Sequence, residues 1–390
     1  MPYLSDRFHD QNTHGTVDAA DAAPSTLNRT GTFDAAAAAA GIRRRVLGQS
    51  TALAAVEHAL VIAQAGFHDR ERPLASLLLV GPTGVGKTEL VRRLAAALRG
   101  GPDDLCRVDM GQLGQEHYAA SLAGAPPGYA GSRESSSLFD RAKIEGTPLT
   151  PGIVLFDEVE KAHPVVLRAL LGVLDHGQLT LANGEQTISF RNCFVFLTSN
   201  LGSAEVARRR SAGWRRAMDS AHRLPGLAEA TTRATRLLGR RDAGAVQREV
   251  HRFFEPEFLN RLDEVVHFTE ISPDTAADIV RLRLQEVTSL LRRRGVELHL
   301  GTGVVDTLVD HGFDPVTGAR GLSRAIRQHL LVPVAEALVT HRATGANELQ
   351  VRIDAATSDG PAPLTVRPHH PGHETRPYPG QGASRTDLGS

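Results

Sequence analysis

The octapeptide Gly81-Pro82-Thr83-Gly84-Val85-Gly86-Lys87-Thr88 lies between an apolar run, Leu77–Val80, and an amphipathic stretch, Glu89–Leu98. It fits the pattern G-x-x-x-x-G-K-[ST], and few local patterns restrict a fold as much. The run before it has the length of a buried strand, and the stretch after it has the apolar spacing of a helix. Glycines let a backbone wrap phosphates and aim its N–H groups at them, while a helix start adds positive potential. In such a loop Lys87 reaches the terminal phosphates of ATP, and the Thr88 hydroxyl ligates Mg2+. A chance glycine turn would need neither the strand nor the helix.

A strand feeding a helix in this way calls for a parallel sheet around it. Short apolar runs recur at Cys106–Asp109, Ile153–Phe156, Cys193–Leu197 and Val265–Phe268, separated by helical stretches such as Val165–Leu174. This alternation predicts an α/β domain, a parallel sheet flanked by helices. After Ser272-Pro273 the texture changes to helices over Thr275–Arg293, Gly303–Asp310 and Ala319–Leu338, with strands at Val296–Leu300 and Glu348–Ile353. That predicts a small, mainly helical second domain. The expected division is a disordered arm over 1–40, turning helical near Ala35–Ala40, an α/β domain over 41–271, and a small domain over 272–354. A disordered tail over 355–390 follows, rich in proline and glycine and carrying a loose cluster of His369, His370 and His373. Asn183-Gly184, between Leu179–Leu181 and Thr187–Phe190, is a hairpin signal without chemistry.

Charge is balanced, with 44 basic and 44 acidic residues among 390, which argues against a wholesale nucleic-acid coat. Its distribution is uneven. Residues 203–250 hold eleven arginines against five acids and the only tryptophan, Trp214, so this basic insert is either a contact surface or a solvated helical segment. Lysine occurs only at Lys87, Lys143 and Lys161. Two cysteines, Cys106 and Cys193, cannot build a disulfide framework and suit a reducing compartment. Met1–Gln11 lacks the signature of a signal peptide, and no apolar stretch has the length of a membrane span. The expected location is the cytoplasm.

A second motif completes the first. Ile153-Val154-Leu155-Phe156-Asp157-Glu158 reads as a buried strand ending in two acids, at the edge of an open sheet where ligands collect. Asp157 would hold the Mg2+ shell and Glu158 would polarise the attacking water. Together the two motifs describe an ATPase with a phosphate-binding loop.

Asp157-Glu158-Val159-Glu160-Lys161-Ala162-His163-Pro164 resembles the signature of the Clp-type AAA+ unfoldases and disaggregases, in their C-terminal ATPase module. Agreement extends to Gly124-Ala125-Pro126-Pro127-Gly128-Tyr129, Thr198-Ser199-Asn200-Leu201-Gly202-Ser203, Phe258–Val266, and Gly318-Ala319-Arg320 with Leu322. The resemblance implies a role for each matching position. Asn200 matches the first sensor, an amide that orients water near the γ-phosphate, with a strand-end cap as the plainer reading. Arg261 matches the arginine finger that reaches a neighbouring subunit's nucleotide, the plainer reading being an ion pair with Asp263 or Glu264. Arg320 matches the second sensor, and Leu47, within Val46–Gln49, the segment around the adenine. Tyr129 matches the aromatic pore loop that grips a translocating polypeptide.

The resemblance also has departures. Ala130 follows Tyr129 where a β-branched residue is usual, and Ser132-Arg133-Glu134 replaces a glycine-rich continuation. An N-terminal substrate domain and a first ATPase module are not recognisable. No Ile-Gly-Phe or Ile-Gly-Leu tripeptide occurs between 203 and 250, so a protease partner is disfavoured. The implied function is an ATP-dependent protein unfoldase that assembles as a six-membered ring and threads polypeptide clients through a central pore. The alternatives are a nucleic-acid-handling motor using Arg208–Arg248, and an ATP-switched scaffold that threads nothing.

Overall fold

The computed structural model describes residues 31–114, 138–180, 187–202, 244–314, 318–342, 349–356 and 363–368. They divide into two compact units: the described residues up to Ser272 with Gly318, and Pro273–Asp314 with Ala319 onward.

The first unit has strands β1 (Ala75–Val80), β2 (Cys106–Asp109), β3 (Gly152–Asp157), β4 (Gln178–Thr180), β5 (Thr187–Ser189), β6 (Cys193–Ser199) and β7 (Glu264–His267). Strands β4 and β5 pair antiparallel across residues 181–186; Asn183-Gly184 falls outside the described residues. The other five form one parallel sheet in the order β2-β3-β6-β1-β7. Every residue of β1 and β6 is buried, because a parallel sheet is covered on both faces.

Alternation along each strand sends successive side chains to opposite layers. Leu77, Leu79, Ile153, Leu155, Phe194 and Phe196 pack with helices α1 (Ala35–Arg43), α2 (Ser50–Ala65) and α3 (Lys87–Arg99). Leu78, Val80, Val154, Phe156, Val195 and Leu197 pack with α4 (Arg141–Glu145), α5 (Pro164–His176) and α6 (Pro256–Asn260). Each such buried side chain contributes about 1.5–3 kcal/mol, so the sheet is a rigid base for the loops at its ends. Because β6 lies between β1 and β3, the carboxyl ends of these three strands stand side by side, with Val80 opposite Ser199 and Phe156 opposite Leu197.

Two expected boundaries move in the first unit. The first unit starts earlier than residue 41: Asp34 caps α1 by accepting from the Ala37 N–H at 2.9 Å, and Phe33, Ala35, Ala38 and Ile42 are buried. Small alanine side chains carry this contact, and so its apolar signal is weak. The basic insert ends before residue 250, because residues 244–253 are helical and Ala245, Val246 and Val250 belong to the core. Residues 203–243, with Trp214, lie outside the described residues.

The second unit contains α7 (Pro273–Arg292), β8 (Val296–Leu300), α8 (Val304–Gly312), α9 (Arg320–Ile326), a π-helical turn (Arg327–Leu331), α10 (Val332–Arg342), β9 (Leu349–Ala355) and β10 (Leu364–Pro368). The π turn precedes Pro333, which has no N–H for the regular ladder. Ala276, Val280, Leu284 and Leu291 form one buried stripe along α7. At the contact of α8 with α9, a Cβ on Gly321 would sit 2.1 Å from the Gly312 carbonyl oxygen, so only glycine fits there. Strand β9 pairs parallel with β8 and antiparallel with β10. The expectation that residues 355–390 are unstructured is therefore corrected over 364–368. Leu364 is buried, and Pro368 is tolerated because β10 is an edge strand. No helix among the described residues is long and apolar enough to cross a membrane.

Candidate nucleotide site

Strand β1 delivers the loop Gly81–Thr88 to the start of α3. Gly81 adopts φ 153°, and a Cβ there would lie 2.7 Å from the Phe268 carbonyl oxygen, so the loop's first position is closed to other residues. Gly84 and Gly86 also have positive φ, 75° and 104°. Gly86 is the N-cap of α3 and supplies no side-chain cap, which leaves the first N–H groups of the helix to an external acceptor. Lys87 is 7% exposed, and its ammonium donates to the carbonyl oxygens of Gly81 at 2.6 Å and Pro82 at 2.7 Å and to Asn200 Oδ1 at 2.9 Å. Pro82, Thr83 and Thr88 are half-buried, and Val85 is buried.

The loop is braced from behind by Gln49. Its buried amide donates to the carbonyl oxygens of Val85 at 3.3 Å and Thr269 at 2.8 Å, and accepts from the Thr269 N–H at 3.1 Å. Leu47, the expected adenine neighbour, is half-buried on this anchored segment.

The acids arrive from β3. Asp157 accepts from the Thr198 hydroxyl and pairs with Arg107, whose Nη2 lies 2.6 Å from Asp157 Oδ2. The same Thr198 hydroxyl accepts from the Glu158 N–H at 3.0 Å. Glu158 has φ 59° and ψ 51°, the single positive-φ residue other than glycine among the described residues. Left-handed backbone on such a side chain costs about 1–3 kcal/mol and persists where surroundings impose it. Its carboxylate accepts from Asn200 Nδ2 at 3.2 Å and pairs with Lys161, whose ammonium pKa it raises. Asn200, just past β6, thus touches both Lys87 and Glu158. Its amide orientation is fixed, because the ammonium only donates and the carboxylate accepts. The Asn200 side chain reaches beyond its own strand end, to the loop after β1 and the turn after β3.

Asp157 and Thr88 offer hard oxygen donors of the kind Mg2+ takes. Sequence carries no signal for Arg107, and for Thr198 it offers only membership of the stretch Thr198–Ser203, with no role for the hydroxyl. An arginine alternating with buried Cys106 and Val108 reads as a solvated strand position, and the contact of Thr198 with Asp157 depends on which strand lies beside β6.

The remaining predicted residues are elsewhere. Arg261 caps the end of α6 and pairs with Asp175 of α5 at 2.9 Å, not with Asp263 or Glu264. Asp263 instead accepts from the Ser76 N–H at 2.7 Å, and Arg72 donates to the Arg261 carbonyl oxygen. Arg261 therefore lies at the amino end of β1, and the phosphate loop at its carboxyl end. Six residues at about 3.3 Å each separate the two ends by roughly 16–20 Å. Arg320 is exposed at the first position of α9 in the second unit. Tyr129 and the whole of Gly124–Tyr129 lie outside the described residues. Lys143 donates to the Asp103 carbonyl oxygen at 3.2 Å, a local tie near the start of α4. Cys106 and Cys193 are buried free thiols whose pKa values burial raises.

Comparison with known proteins bears on the family. Residues 72–265 match the AAA domain (Cdc48 subfamily), and residues 271–351 match the C-terminal, D2-small domain of ClpB protein. An ATP-dependent protease ATP-binding subunit-like protein of Rhodococcus erythropolis is 51% identical, over 91% of this chain and 97% of its own length. A similarly named protein, AmiB, of Pseudomonas aeruginosa is 46% identical over 80% and 82% of the two chains. Chaperone protein ClpB of Meiothermus ruber is 37% identical over 83% of this chain and 34% of its own. Among solved structures, the Saccharomyces cerevisiae Hsp104–ADP complex superposes with a TM-score of 0.68 at 27% identity, covering 86% of this chain and 52% of that one. The chain spans about a third of that ClpB and half of Hsp104. By sequence, by fold and by the polar residues gathered behind its phosphate loop, the chain belongs to the Clp-type AAA+ ATPases, enzymes that bind and hydrolyse ATP.

Proposed function

We propose that the protein assembles as a ring of six subunits and hydrolyses ATP·Mg2+ to thread polypeptide through a central pore in the cytoplasm. One observation carries the reading. Lys87, Asn200 and Glu158 meet at the carboxyl edge of the sheet, while Arg261 stands at the opposite edge of the same sheet. An arginine so placed serves a nucleotide bound to the next subunit better than its own, which supports action in trans.

The chain's residues divide the work. The N–H groups of Gly81–Thr88 and the Lys87 ammonium hold the phosphates, and Lys87 exchanges its present carbonyl partners for phosphate oxygens. Thr88 and Asp157 hold Mg2+, which when bound neutralises phosphate charge. Glu158 takes a proton from the attacking water, and Asn200 orients that water beside it. Arg320, at the first position of α9, keeps the role of second sensor that the resemblance implies. Tyr129 contacts the client. Buried free thiols at Cys106 and Cys193 support a reducing location.

Names of the Rhodococcus and Pseudomonas relatives speak of an ATP-dependent protease, which favours a second reading: delivery of polypeptide to a peptidase ring. The lack of an Ile-Gly-Phe or Ile-Gly-Leu tripeptide over 203–250 weighs against it. Glu158→Gln should slow ATP turnover by about 10²–10⁴-fold with ATP still bound. Turnover at the normal rate would overturn the assignment. Tyr129→Ala should leave basal ATPase within about twofold and abolish unfolding of a tagged client; unchanged unfolding would remove the pore role.

A further inference from the structure

The carboxylate of Glu160 has no part in the reaction just described, yet it is placed with care. Its Oε1 accepts from the backbone N–H of Asn200 at 3.0 Å. Its Oε2 is buried with no hydrogen-bond partner among the described residues. A buried carboxylate oxygen left without a partner destabilises a fold, so stability does not account for its placement. Geometry does. Glu158 and Glu160 are two residues apart on the turn after β3, and both reach the same residue across the sheet, one to its side-chain amide and the other to its backbone. The left-handed backbone of Glu158 turns the chain so that both carboxylates point that way. Val159 between them is fully buried and fixes the turn to the core.

We infer that Glu160 is a positioning residue for ATP hydrolysis, clamping the backbone of Asn200 so that its amide stays between Lys87 and Glu158. Without the clamp, the loop after β6 keeps its strand but loses the fixed direction of its first side chain. A small misplacement of a group that orients the nucleophile is costly to rate and nearly neutral to binding. This inference rests on the proposed role of Asn200 at the phosphate.

Glu160→Ala should lower kcat by about tenfold or more, with the KM for ATP and the affinity for a fluorescent ADP analogue within about twofold. Glu160→Gln keeps an acceptor oxygen for the Asn200 N–H and should restore kcat to within about threefold of wild type. Thermal melting of both variants separates misfolding from misplacement. In an Asn200→Ala background, Glu160→Ala should cause no further loss, because the clamp acts only through that side chain. A normal kcat in Glu160→Ala, a Gln variant as slow as the Ala variant, or losses that multiply in the double variant would each overturn the inference. If Asn200→Ala is itself fully active, the role of Asn200 falls and the clamp falls with it. If Asn200→Ala is slow and Glu160→Ala is not, only the clamp falls.

Discussion

The two ends of β1 are built from the same kinds of residue and behave differently. At the carboxyl end, Lys87, Asp157, Glu158, Thr198 and Asn200 share hydrogen bonds in a half-buried network that converges from three strands. At the amino end, Arg72, Asp175, Arg261 and Asp263 form ion pairs and caps near the surface, with the Arg261 side chain 45% exposed. The first network is over-determined: removing one member leaves others with unmet bonds in a poorly solvated place. The second is loosely held, and its ion pairs are screened. A residue that must stay fixed on its own subunit's phosphates belongs in the first setting, and a residue that must release and reach a neighbour belongs in the second.

Breaking the amino end at Arg261 should give the largest contrast. Arg261→Ala is expected to lower kcat by about 10³-fold, with the affinity of each subunit for a fluorescent nucleotide unchanged; a matching loss of nucleotide binding would place Arg261 at its own site. Thr198→Val removes the hydroxyl that joins Asp157 to the Glu158 backbone. That should cost about 1–3 kcal/mol in denaturant unfolding and slow hydrolysis as well; a variant neutral in both would show that the carboxyl-end network is not cooperative. Asp175→Asn frees Arg261 from its partner and should change stability by less than about 1 kcal/mol, leaving hydrolysis intact or faster. A large stability loss would mean that the pair is structural and that Arg261 is not free to move.

Much of this contrast is legible in the amino-acid sequence. Continuous apolar runs such as Leu77–Val80 and Cys193–Leu197 read as strands covered on both faces, and the octapeptide between strand and helix locates the phosphates. The parts that stay hidden share a physical reason. Helix α1 buries alanines whose spacing carries little hydrophobic contrast, and β10 hides two alternating apolar residues, Leu364 and Val366, within a proline-rich stretch. Contacts such as Thr198 to Asp157 and Glu160 to Asn200 join residues about forty apart in sequence, and depend on which strands lie side by side. Motif spacing records a strand's residues but not its neighbour, so the central position of β6, and with it the clamp on Asn200, emerges only from the sheet order.

The central claim is that each nucleotide is served by Lys87 of one subunit and Arg261 of the next. Lys87→Ala and Arg261→Ala proteins, each inactive alone, should recover a measurable fraction of wild-type ATPase when mixed and allowed to exchange subunits. In mixed rings an intact Lys87 then meets an intact Arg261 across an interface. Full activity of Arg261→Ala alone, or no recovery in mixtures that demonstrably co-assemble, would contradict it.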